Sequence, residues 1–223
     1  MKAFIIFRDR VAYAQRCMAA MFAAGLEPVV VDHGSTYPGA VRWLGHLEKH
    51  DVKVLYRGGG HPRGLWLWPP FREVCGPVDR YIVTDPDCVP SEGCPPGWVD
   101  HLGLVLDAYP RAKVGLGLRI DNIPLHYPRR DHVLEWEGQF WRSQLAPGVY
   151  DAGVDTTLAL YQPLSVAGCH SIGGTRTGPP YTADHLAWYE DPAALPEDIR
   201  YYHEHAEPGI SYWTIGGHSA WGA

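Results

Sequence analysis

An α/β fold built on a mostly parallel sheet, with helices on both faces, is what this chain predicts, and three observations carry that expectation. The first 120 residues alternate short apolar runs with amphipathic stretches, the pattern of parallel strands joined by crossover helices. The runs are continuously apolar, as strands covered on both faces must be. Polar and glycine-rich loops follow each run, at the strand ends where open sheets of this class bind ligands.

The elements follow in order. Ala3 to Phe7 is the first strand. Val11 to Ala24 is a helix, since Tyr13, Cys17, Ala20, Met21 and Ala24 recur at three- and four-residue spacing and Gly25 supplies a stop. Glu27 to Val31 is the second strand, ending at Asp32. Pro38 to His50 is the second helix, with Val41, Leu44 and Leu47 on one face, and Val52 to Tyr56 is the third strand. Arg57 to Gly64 is a glycine-rich loop, and Leu65 to Glu73 starts helical before Pro69-Pro70 distorts it. Arg80 to Thr84 is the fourth strand, Trp98 to Tyr109 a helix and Lys113 to Ile120 a strand.

The second half reads differently. Asp131 to Leu145 is helical, with Val133, Trp136, Phe140 and Gln144 in a stripe. Val154 to Tyr161 is a strand by its β-branched and aromatic content. Gly168 to Pro180 is a loop, and Ala183 to Tyr189 and Glu197 to His205 are short helices. No linker divides the chain, so 1–223 is expected to be one domain: a nucleotide-binding half over 1–120 and an acceptor-side half over 121–223.

Composition narrows the classes. Apolar residues make up 46% of the chain, enough for a full core. A net charge of −6 lacks the basic excess of a dedicated nucleic-acid binder. No apolar run approaches the roughly 18 residues of a membrane span. Met1-Lys2 leads straight into the first strand, without the pattern of a secretory leader. The five scattered cysteines read as free thiols, so a cytoplasmic protein is expected.

The chemistry concentrates in Tyr81-Ile82-Val83-Thr84-Asp85-Pro86-Asp87, an apolar run that delivers two carboxylates to a strand end. Such a pair makes an oxygen-rich site suited to Mg²⁺ or Mn²⁺, cations commonly shared with substrate phosphates. Asp-Pro-Asp is also an ordinary turn. The context favours a site, because the other strand ends carry Arg8-Asp9-Arg10, Asp32-His33-Gly34-Ser35-Thr36 and Arg57 to Gly64, all rich in groups a nucleotide needs.

These pieces, with Val114-Gly115-Leu116-Gly117-Leu118, Asp155 to Tyr161 and Gly178 to Leu186, resemble a bacterial GT-A-fold glycosyltransferase of the family 2-like kind, in family order from residue 3 to about residue 190. The resemblance implies a nucleotide-diphosphate sugar as donor, with a UDP-sugar leading, Mn²⁺ or Mg²⁺ as cofactor, and transfer of one sugar to a hydroxylated acceptor. It implies that Asp32 meets the base or ribose beside Ser35 and Thr36, that Arg8 and Arg10 lie near the nucleotide, and that Asp85 and Asp87 form the metal motif. It adds His185 as a candidate third metal ligand, against its reading as a helix-surface histidine. From residue chemistry, Arg57 or Arg63 could clamp a diphosphate, and Gly64 lets backbone approach it.

An inverting transfer needs a base for the acceptor proton. The candidates are Asp151, Asp155, Asp184 and His185, and Asp155 ranks first, at the start of a strand and beside Thr156 and Thr157. Glu135 and Glu137, near Trp136 and Trp141, could meet acceptor hydroxyls, or the tryptophans could be plain core. Three further readings stand beside the transferase. A sugar-nucleotide nucleotidyltransferase would carry a glycine- and basic-rich loop after the first strand, and Arg8-Asp9-Arg10-Val11 has no glycine. A non-catalytic nucleotide-sugar-binding protein would not need both aspartates. A hydroxylated base in DNA as acceptor is disfavoured by the acidic total, though Arg129, Arg130 and Arg142 could line a local groove.

Overall fold

The structure is a computed structural model that describes residues 1–58, 62–155, 157–168, 171 and 173–206, apart from the side chains of residues 62 and 63. The first half follows the expected alternation: β1 (Lys2–Phe7), α1 (Val11–Ala23), β2 (Glu27–Asp32), α2 (Pro38–Lys49), β3 (Lys53–Tyr56), α3 (Pro69–Cys75), β4 (Tyr81–Thr84), β5 (Cys88–Pro90), α4 (Trp98–Ala108) and β6 (Lys113–Leu118). Next come α5 (Arg130–Gly138), β7 (Gln144–Ala146), β8 (Val149–Asp151), β9 (Ala159–Tyr161), β10 (Thr175–His185) and α6 (Glu197–His205).

One sheet runs in the order β3-β2-β1-β4-β9-β6-β10-β8-β7, with β5 paired to β10 off this path. β1, β2, β3 and β4 are mutually parallel, and so are β6 and β10. β9 runs antiparallel between β4 and β6. The core lies on both faces: Phe4, Phe71, Tyr81 and Tyr161 pack on one side, Ile5, Met21, Leu102 and Trp188 on the other. The α/β class with a mostly parallel central sheet is therefore as predicted.

Several boundaries differ from the sequence reading, each for a physical reason. Val41 is 53% exposed, and α2 instead buries Ala40, Trp43, Leu44 and Leu47. The helical stretch expected from Leu65 is split at the prolines: a 3₁₀ helix (Pro62–Leu67) stops before them, and Pro69-Pro70 opens α3, where the missing N–H costs nothing. The helix expected over Asp131 to Leu145 ends at Gly138, and Gln144 enters β7. The strand expected from Val154 shrinks to Ala159–Tyr161, since only those residues pair with β4 and β6.

The largest correction is β10. From Thr175 the expected loop over Gly168 to Pro180 gives way to one long strand, which also takes Ala183 to His185 of the expected helix and leaves Leu186–Tyr189 as a 3₁₀ helix. It pairs with β6 on either side of a register shift between Thr177 and Thr182, where two prolines without a donor can sit. Thr177 Oγ1 donates to the Tyr181 carbonyl at 2.7 Å and closes that bulge. The Gly117 of β6 faces it: an added Cβ there would strike the Thr177 carbonyl and the Trp141 ring. Asp184 and His185 thus belong to a strand, and pairing on two sides overrides the local helical pattern. Among the described residues no helix is long and apolar enough to cross a membrane.

Candidate functional site

The strand order places the loops after β3, β2, β1 and β4 side by side at one edge of the sheet. Arg8-Asp9-Arg10, after the central β1, joins its neighbours on both sides. Asp9 is buried, with φ of +58°, a left-handed conformation that aspartate tolerates better than most residues. Its Oδ1 accepts from the backbone N–H groups of Thr36 and Tyr37 at 2.7 and 2.8 Å, and its own N–H donates to Ser35 Oγ at 3.0 Å. Ser35 Oγ in turn donates to Asp32 Oδ1 at 2.5 Å, and Ser35 N–H lies 3.1 Å from the same atom. Arg57 N–H donates to the Asp32 carbonyl at 2.9 Å. Arg57 extends its guanidinium across Gly64, close to where a Cβ would stand. Asp9 was not singled out by the sequence reading, because its role as a clamp between two loops depends on their adjacency.

On the other side, Arg10 Nη1 lies 2.5 Å from Asp87 Oδ2. Asp87 is 3% exposed. β5 follows at once and pairs antiparallel with β10, setting His185 opposite Cys88. This brings His185 Nε2 within 3.7 Å of Asp87 Oδ2, while Leu186 N–H donates to the Asp87 carbonyl at 2.7 Å. Potential ligand atoms of Asp87, Cys88 and His185 lie within 4.8 Å of one another. Burial would raise the Asp87 pKa, but the Arg10 guanidinium pulls it below the usual carboxylate range. Burial lowers the His185 pKa against the pull of Asp87, which favours the neutral imidazole. Burial pushes the Cys88 thiol well up, with Asp87 and Asp85 adding to the effect, so it stays protonated.

These groups fit a divalent cation. A buried carboxylate already in its ionised form faces a neutral imidazole across a gap that a coordinated ion can bridge. Asp85 stands beside them, half-buried, its carbonyl accepting from Thr84 Oγ1 at 2.9 Å.

Helix α6 covers this edge. The Arg10 guanidinium lies over the Tyr202 ring, 4.6 Å from its centroid. Asp198 Oδ2 accepts from the Ala12 N–H at 2.7 Å, supplying the acidic partner that the first turn of α1 lacks. Tyr201 OH lies 3.2 Å from Thr36 Oγ1, its ring 5.3 Å from that of Tyr37. Glu190 ties the region together, 2.6 Å from Tyr13 OH and 3.0 Å from His203 Nε2.

The two candidate bases lie in different surroundings. Asp155 precedes β9 with an exposed side chain. Its carbonyl accepts from Lys113 Nζ at 3.0 Å and from Tyr161 OH at 3.1 Å. Lys113 is buried, which lowers its pKa to about 8, and Asp155 and Asp85 both act to raise it again. Asp155 and the Asp85 turn therefore share one electrostatic neighbourhood. Asp184 precedes His185 in a strand, so the two side chains point to opposite faces. Its carboxylate lies 3.2 Å from Tyr189 OH, and burial raises its pKa against Arg119. A cavity of about 470 Å³ opens there, lined by Tyr13, Arg16, Asp184, Leu186, Tyr189 and Glu190 among others.

Among the remaining candidates, Glu137 is not presented to an acceptor: it is buried and bound to Arg176 at 2.7 Å. Glu135 is exposed, Trp136 is 52% exposed, and Trp141 lies over Gly117. Arg130 spends its guanidinium on the Ile123 carbonyl and Asp131. The side chain of Arg63 and all of Thr156 lie outside the described residues.

No family model matches the chain, and no curated protein matches it. Solved structures are similar at low identity. A mannosyltransferase from Pyrobaculum calidifontis, solved with GDP-Man and Mn²⁺, is 14% identical over 92% of this chain and 60% of its own, with a TM-score of 0.47. S. aureus TarS 1-349 is 12% identical over 91% and 62%, with a TM-score of 0.48. GalNAc-T7 with UDP, GalNAc and Mn²⁺ is 11% identical over 82% and 43%, with a TM-score of 0.49. The chain thus spans about three-fifths or less of the length of these structures. On its own strand order, with parallel β3-β2-β1-β4 followed by antiparallel β9 and with the Asp-x-Asp turn at the carboxyl edge, the fold is of the GT-A type that the sequence predicted.

Proposed function

We propose that the chain is a metal-dependent glycosyltransferase that moves a sugar from a nucleotide-diphosphate sugar, with a UDP-sugar the leading donor, to a hydroxylated acceptor. One observation carries the reading: a buried ionised carboxylate, Asp87, and a neutral imidazole, His185, meet at the carboxyl edge of the sheet beside the loops after β1 and β2. Asp87 and His185, with Asp85 at the rim, would hold the cation, and a carboxylate-imidazole set favours Mn²⁺ over Mg²⁺. When bound, such a cation supplies positive charge for the diphosphate that leaves.

The chain's own residues bind and orient. Asp32, braced by Ser35, would face the nucleoside with Thr36. Arg8, Arg57, Arg63 and the backbone at Gly64, which Arg57 lies across, would meet the diphosphate. Asp155 would take the acceptor proton in an inverting transfer, and its common neighbourhood with Asp85 supports it over Asp184, which faces the other side.

Calorimetric titration with a panel of nucleoside diphosphates, with and without Mn²⁺, tests the reading. Binding of one nucleotide should depend on Mn²⁺ and disappear in Asp87→Ala. Undiminished, metal-dependent binding by that variant would remove Asp87 from the site. In turnover, Asp155→Asn should retain donor affinity and lose about 10²–10⁴-fold in rate, the usual contribution of a general base. A full rate there with a loss in Asp184→Asn would move the base to β10.

A further inference from the structure

Arg10 occupies the place of a cation. Its Nη1 holds Asp87 Oδ2, the same oxygen that His185 Nε2 faces. The two side chains of this ion pair are 12% and 4% exposed, so solvent screens them little. The guanidinium carries its charge at every accessible pH. It is also held from behind, because α6 sets the Tyr202 ring against it. A bare carboxylate buried as deeply as Asp87 would be costly, so some positive charge is required there whether or not a metal is present.

Such a charge opposes a second one. A divalent cation coordinated by Asp87 needs the carboxylate that Arg10 already neutralises, and it meets the guanidinium charge a few ångströms away in a site of low exposure. Resting on the reading of Asp87 and His185 as a divalent-cation site, we propose that Arg10 is an internal counter-cation which the metal must displace from Asp87, and that Tyr202 in α6 restrains it there. The chain without a donor is then built to hold metal weakly. The guanidinium released from Asp87 stays at the edge of the sheet, next to where a diphosphate would lie, and its fork suits phosphate oxygens.

The test is a Mn²⁺ titration of the full chain without nucleotide, following free Mn²⁺ by electron paramagnetic resonance. Parent, Arg10→Gln, Arg10→Lys and Asp87→Asn are compared. Arg10→Gln should bind Mn²⁺ about tenfold or more tighter than the parent, the scale of removing a like charge at this distance. Arg10→Lys keeps a cation and should stay within about threefold of the parent. Asp87→Asn should abolish the site. If Arg10→Gln binds Mn²⁺ no tighter than the parent while Asp87→Asn still abolishes binding, the counter-cation role is wrong and the cation site stands. If Asp87→Asn takes up Mn²⁺ like the parent, the cation site itself is wrong and the proposal falls with it.

Because Arg10→Gln strips a buried carboxylate of its partner, a second readout covers a loss of stability. Added Mn²⁺ should raise the melting temperature of Arg10→Gln by more than it raises that of the parent, since a ligand stabilises in proportion to its affinity for the folded state. An equal or smaller rise counts against the proposal.

Discussion

Lys113 shows how one residue can work against stability while shaping the site. Its amine is buried at the start of β6, bridging the Asp155 carbonyl and Tyr161 OH. Burial lowers its pKa from 10.5 to about 8. The unfolded chain therefore holds this proton more tightly than the folded one, and stability rises with pH between those two values. At neutral pH the shift costs about 3 kcal/mol. In Lys113→Met the apolar stem is kept, and Tyr161 OH still reaches the Asp155 carbonyl at 3.1 Å. We expect that variant to be more stable than the parent by about 1–3 kcal/mol at neutral pH, and to lose the rise in stability between pH 8 and 10.5. Urea unfolding across that range checks both, and a parent with no slope there would show that Lys113 stays charged in the fold.

At the scale of elements, the loop after β1 is the junction of the site. Asp9 reaches the β2 loop and Arg10 the β4 loop, as the order β2-β1-β4 requires. Asp9→Ala would leave the Thr36 and Tyr37 N–H groups without their acceptor and place alanine at φ of +58°. The expected loss is about 1–3 kcal/mol of stability, with weaker nucleotide binding because the β2 loop loses its hold at Thr36 and Tyr37, next to Ser35. Asp9→Asn keeps the tolerated backbone and one acceptor oxygen, so it should recover most of both. Denaturant unfolding and nucleotide titration of the pair separate a clamp from a residue that only fills space, for which Asn and Ala would behave alike.

At the scale of the molecule, the halves of the chain meet through β9, set between β4 and β6, and through β10. Strand β10 pairs with β6, β5 and β8, and its Arg176 enters a buried ion pair with Glu137 of α5 while stacking on Phe140. The same strand ends at His185, against Asp87 from the first half. α6 then returns over the loops after β1 and β2. The site is thus assembled from segments separated by more than a hundred residues, and its cation side depends on the register of β10 against β5.

The sequence by itself determined the alternating first half, the strand that ends in Asp85-Pro86-Asp87, and the loops that share its edge. Each is a local matter: an apolar run of strand length, a helical spacing, a turn at its end. Tertiary structure decided the rest. Asp184 and His185 read as one helical segment, and only pairing of β10 with β5 and β6 sends them to opposite faces. Glu137 read as an acceptor contact until Arg176, far along the chain, claimed it. Arg10 read as a nucleotide residue, and only the adjacency of β1 and β4 set it on Asp87. Strand partners and the charges they bring together are non-local, and a one-residue change of register would turn every such side chain to the other face.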